Sequence, residues 1–91
     1  MYKLVGELSQ NNARKQVAAG NAAIAQGQLD FDFSDLLQID STAVASMIEW
    51  QRQASQLKKT LHFHSVPASL VSLIQLYGLT GQFQLSPAER H

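Results

Sequence analysis

The sequence predicts an α/β domain in which a small, mainly parallel sheet carries its helices on one face. Three observations lead there. Segments with helical apolar spacing alternate along the chain with short segments of strand character. The two clearest strand segments, LDFDFS at 29–34 and LHFHS at 61–65, alternate apolar with polar residues. That is the pattern of a strand covered on one side, whereas strands buried on both faces read as continuous apolar runs. Finally, helical connections between successive strands favour parallel neighbours joined by right-handed crossovers.

Each element has its own justification. The opening run Tyr2–Leu8 (YKLVGEL) alternates loosely and ends in the polar cluster Ser9, Gln10, Asn11 and Asn12, whose side chains can cap a helix. A first helix is predicted over Ala13–Gln26, with Ala13, Val17, Gly20 and Ile24 on one narrow stripe. Those residues are small or aliphatic, so the helix must lie close to whatever it covers, and Gly27 is its stop. In the strand Leu29–Ser34, Leu29, Phe31 and Phe33 share a face opposite Asp30, Asp32 and Ser34, and a short turn is expected to follow it. A second helix is predicted from Ser41 to about Lys59, its buried stripe formed by Ala43, Met47, Trp50, Ala54 and Leu57 and widened by Val44 and Ile48. Glu49, Arg52, Gln53 and Gln56 hold its polar side, and Lys58 and Lys59 lie at its C-terminal end, where cations complement the dipole. The strand Leu61–Ser65 follows. A third helix begins at Pro67, carries Leu70, Leu73, Ile74 and Tyr77 inward, and closes at Gly78. Phe83–Leu85 adds either a strand or a pinned tail.

Length and composition narrow the function. Ninety-one residues, 45% hydrophobic and 15% charged, make a single globular domain over residues 1–91. A chain of this size has little core to spare for an internal catalytic cavity. Seven basic residues balance seven acidic ones, and the sequence pI is near 6.8. Nucleic-acid binding needs a basic surplus that is missing here. The absence of cysteine removes disulfides, thiol catalysis and thiolate-bound zinc. No apolar run approaches the ~20 residues of a membrane span, and Met1–Gln10 lacks a signal-peptide pattern, so a soluble cytoplasmic domain without membrane insertion is expected.

Enzyme signatures are sparse. The five glycines are scattered and form no phosphate-binding loop. His62 and His64 share a strand face at a spacing that can chelate a metal, but no third ligand lies nearby in sequence, and polar residues on an open sheet face account for them. Alternation likewise accounts for Asp30 and Asp32. Trp50 reads as a half-buried core residue rather than a partner-binding anchor. No metal or cofactor is expected.

One segment stands out: Asp40-Ser41-Thr42, an acid and two hydroxyls between the second strand and the apolar second helix. Asp40 or Ser41 serves there as an N-cap. A hydroxyl at this point also sits at the positive end of a helix dipole. Two uses are open to it. Phosphorylation would add about −1.5 to −2 charge, opposed by neighbouring Asp40; alternatively, the exposed helix start docks a partner without modification.

The run DFSDLLQIDSTAVASMIEWQRQA at 32–54 resembles the signature of the STAS domain, whose SpoIIAA-like fold is that of the anti-sigma-factor antagonists. Asp40 and Ser41 match the family's acid and its phosphorylatable or functionally required hydroxyl, and Thr42 takes the third position. Ala43 and Val44 replace the family's Gly-Leu and leave the helix start bulkier. Within the family, Met47-Ile48-Glu49-Trp50-Gln51-Arg52-Gln53-Ala54 and Leu76-Tyr77-Gly78-Leu79 are most similar to the small STAS subunits of phospholipid ABC transporters. The chain also stops before the long final helix of the sporulation proteins, and Tyr2 leaves no room for the family's extra first strand. The resemblance implies a non-catalytic accessory subunit, peripheral to the inner membrane, that binds the transporter's ATPase subunit. It places the contact at Asp40, Ser41 and Thr42, with Ala45 and Glu49 one and two turns along. The alternative it implies is an anti-sigma-factor antagonist whose partner kinase phosphorylates Ser41. Self-association into a weak homodimer along an open sheet edge is a further expectation.

Overall fold

The structure, a computed structural model, describes residues 1–88. Four parallel strands in the order β1-β2-β3-β4 form one sheet: β1 is Tyr2–Leu8, β2 Asp30–Ile39, β3 His62–Val66 and β4 Gln84–Pro87. The connecting helices are α1 (Ala13–Ala25), α2 (Thr42–Gln56) and α3 (Ala68–Leu76), and a 3-10 turn at Thr80–Gln82 precedes β4. Consecutive strands lie side by side, so crossovers of one hand carry every helix onto the same face.

The core fills the space between the sheet and α1–α3. Leu4, Leu8, Phe31, Phe33, Leu61 and Phe63 enter it from the strands, and Ile24, Met47, Trp50, Leu70 and Ile74 from the helices. Phe63 lies at its centre, its ring 5.5 Å from Phe33, 6.1 Å from Phe31, 6.5 Å from Trp50 and 5.7 Å from Phe83, between centroids. Trp50 is wholly buried, deeper than its sequence context indicates, and its indole N–H donates to the Val17 carbonyl at 3.2 Å. It therefore joins α2 to α1 and is no surface anchor. The small stripe of α1 makes this approach possible. A methyl group added at Gly20 would stand 2.5 Å from Trp50 Cε2 and closer still to Nε1.

The opposite sheet face is open and polar. Lys3 Nζ lies 3.8 Å from Asp32 and 3.3 Å from Asp35. His64 Nε2 is 2.8 Å from Asp30 Oδ1, His62 Nε2 is 3.0 Å from Ser86 Oγ, and the two imidazoles stack at 4.2 Å. Both histidines are thus occupied with their neighbours.

Several boundaries differ from expectation. β2 runs on to Ile39 where a turn was expected after Ser34, because two irregularities opposite Lys3/Val5 and Gly6/Glu7 insert extra residues and break its alternation. The second of them leaves Leu37 almost fully exposed. α2 stops at Gln56, so Lys58 and Lys59 lie beyond it. Its end is a Schellman turn in which the Lys59 N–H reaches the Ala54 carbonyl, the Lys58 N–H reaches Ser55, and Lys58 takes φ +57°. Leu57 and Tyr77, expected inward, are largely exposed. Gly27 and Gly78, with φ +90° and +70°, end α1 and α3 as expected. Phe83 is buried and Gln84–Pro87 is a strand, which settles the choice between strand and pinned tail.

Candidate partner-binding site

In a parallel sheet every helix starts beyond the C-terminal ends of the strands, and here the starts of α1 and α2 are fastened together. The link is Asp40. Its Oδ1 accepts the Thr42 N–H at 2.8 Å, capping α2, and its Oδ2 accepts the Gln10 N–H at 3.1 Å from the loop before α1. The Gln10 amide, and after it the Thr42 amide, hold the Asp40 carboxyl below the usual carboxylate range. Asp40 is thus the cap. Ser41 is already in helical conformation, with φ −62° and ψ −20°, and its side chain makes no capping bond.

The polar cluster before α1 works differently from a simple cap. Asn12 Oδ1 accepts the Ser9 N–H at 3.1 Å, while Asn12 Nδ2 and Gln16 Nε2 donate to the Glu7 carbonyl at 2.8 and 3.1 Å. Asn12 shapes the turn out of β1 and makes no side-chain cap to α1.

Between the two helix starts lies a groove of about 280 Å³, lined by Ala13, Arg14 and Val17 of α1 and by Thr42, Ala45, Ser46 and Glu49 of α2. Ser41, Ala45 and Glu49 are exposed and Thr42 is half-buried. Glu49 pairs with Arg52 at 3.2 Å, one turn further along. The Ser46 hydroxyl donates back to the Thr42 carbonyl at 3.3 Å. A second concavity of about 460 Å³, lined by Gln10, Asn11, Asn12, Arg14, Lys15 and Ala18, adjoins the first across Arg14.

Of the five residues singled out in the sequence, the structure brings Thr42, Ala45 and Glu49 into one groove. Ser41 is exposed at the start of α2, outside the groove lining, and Asp40 is committed to holding the two loops together. The α1 wall of the groove was not singled out. Its only signal in the sequence is the basic pair Arg14-Lys15 opening a helix, a position that favours acids.

Comparison with known proteins agrees with this architecture. The family profile described as "Mlab, STAS domain" matches residues 2–87. The intermembrane phospholipid transport system binding protein MlaB of Haemophilus influenzae is 28% identical over 82 residues, covering 85% of this chain and 78% of its own. The unphosphorylated anti-sigma factor antagonist SpoIIAA superposes with a TM-score of 0.67 at 19% identity, over 96% of this chain and 77% of its own. That likeness is one of fold. With the profile spanning nearly the whole chain, the protein belongs to the MlaB group of the STAS-domain family.

Proposed function

We propose that this chain is a non-catalytic accessory subunit of a phospholipid-transporting ABC system, peripheral to the inner membrane, that binds the system's ATPase subunit through the start of α2. The observation that carries the reading is the exposed, small-residue opening of α2. Ser41 and Ala45 face solvent on a helix whose other side, from Ala43 to Ala54, is buried. Short side chains there let another backbone come close, and the Asp40 cap fixes the conformation in advance, which lowers the ordering cost of association. The name of the Haemophilus relative, a binding protein of intermembrane phospholipid transport, supports the same reading.

The test is association with the ATPase subunit of a phospholipid-transporting ABC system from the same organism. Ala45→Arg, which fills the groove, and Ser41→Asp, which adds charge at its end, should each weaken binding by at least about tenfold, or about 1.4 kcal/mol. Wild-type affinity in both variants would place the contact elsewhere. The second reading, an anti-sigma-factor antagonist switched at Ser41, draws on the exposure of that hydroxyl. Stoichiometric labelling of Ser41 by a partner kinase would favour it. Self-association belongs to neither reading and is opposed at both sheet edges. β1 carries Lys3, Gly6 in a left-handed conformation and a Glu7 carbonyl already taken by Asn12 and Gln16, and β4 is four residues long and ends in Pro87.

A further inference from the structure

The start of α1 breaks a local rule. Its first turn holds no acidic residue and no side-chain cap, and its second and third positions are Arg14 and Lys15. Cations at the positive end of a helix dipole are unfavourable, and acids are the stabilising choice there. Both side chains are exposed, and neither forms an ion pair among the described residues. Glu49, which lines the groove together with Arg14, pairs with Arg52, and Asp40 is engaged with two backbone amides. A charge placed against its own helix, unpaired and lining a concavity, has a use outside the folded chain.

The placement indicates what that use is. Arg14 forms the wall shared by the two concavities, one floored by Ala13, Val17 and Ala45, the other polar and lined also by Lys15. We infer that this double groove receives a carboxylate-bearing segment of the partner polypeptide, a small apolar side chain entering between α1 and α2 and an adjacent acid meeting Arg14 and Lys15. The inference rests on the reading that the start of α2 binds the ATPase subunit, and it adds the α1 wall and the charge of the occupant. An anionic membrane surface would satisfy the cations but leave the apolar floor beside them unfilled.

The experiment titrates the purified ATPase subunit with the full chain at low and high salt. The variants are Arg14→Glu/Lys15→Glu, the control Lys58→Glu/Lys59→Glu beyond the far end of α2, and Ala45→Arg. Acids at the start of α1 suit the dipole, so the first variant should fold and melt at a higher temperature than wild type. The expected result is affinity at least about tenfold weaker for that variant with its salt dependence reduced, and within about twofold of wild type for the control. Unchanged affinity in the α1 variant, with Ala45→Arg still abolishing binding, overturns this inference and leaves the α2 contact standing. Unchanged affinity in both overturns the two together. Loss of sedimentation with phosphatidylglycerol vesicles on reversing Arg14 and Lys15, without any change in ATPase affinity, would assign the cations to a lipid surface and overturn the inference as well.

Discussion

Two residues show how closely local chemistry is tied to the site. Gly20 is small because Trp50 lies on it, and the indole N–H bond to Val17 fixes how far α2 stands from α1. Gly20→Ala gains about 1 kcal/mol of helix propensity, yet a methyl group there overlaps the indole, and overpacking typically costs about 1–3 kcal/mol. Urea denaturation followed by Trp50 fluorescence should show net destabilisation. A variant as stable as wild type would contradict the packing described here. Asp40 acts through charge. The folded chain holds this proton less readily than the unfolded one, because the Gln10 and Thr42 amides favour the carboxylate. Its stabilisation is therefore complete above the unfolded value of about 3.9 and is lost as pH falls through the lower folded value. Asp40→Asn should melt below wild type at neutral pH, and the gap should narrow as the pH falls through the lowered folded pKa of Asp40. A gap independent of pH would mean that the carboxylate's charge is not what joins the loops.

At the scale of elements, what could be read in the sequence and what could not divide on clear physical grounds. α1 and α3 were legible because apolar spacing and a closing glycine agree, and Gly27 and Gly78 do occupy the left-handed positions their Schellman turns require. α2 seemed longer than it is because its left-handed position holds Lys58, whose side chain gives no sign of that conformation. Lys58→Gly should therefore stabilise the chain by about 0.5–1 kcal/mol, since a non-glycine residue is strained there. Chemical denaturation would show this as a higher midpoint with an unchanged slope, and a lower midpoint would contradict the turn. The second half of β2 was hidden because its irregularities at Asp32–Asp35 and Leu36–Gln38 destroy the period of two by which strands are read. The site divides similarly. Asp40-Ser41-Thr42 is contiguous and was found, whereas Ala13, Arg14 and Val17 are brought to the groove by bonds between residues far apart in sequence, Asp40 with Gln10 and Trp50 with Val17.

Over the whole molecule, two very different surfaces result from covering one side of the sheet. The open face is self-satisfied, with Lys3, Asp30, Asp32, Asp35, His62 and His64 engaged with one another or with Ser86. The end where α1 and α2 start is the reverse, with the exposed Ser41 hydroxyl, the exposed Ala45 and two cations lacking an ion pair among the described residues. On the proposed function, binding is expected at the helix starts, and the sheet face is expected to remain in water in the complex. Amide hydrogen exchange of the chain, alone and saturated with the proposed ATPase partner, tests this most directly. New protection confined to residues 10–18 and 41–49, with β3 and the outer residues of β1 and β2 unchanged, is the predicted result. Protection concentrated around Lys3, Asp32, His62 and His64, with the helix starts exchanging as before, would contradict it.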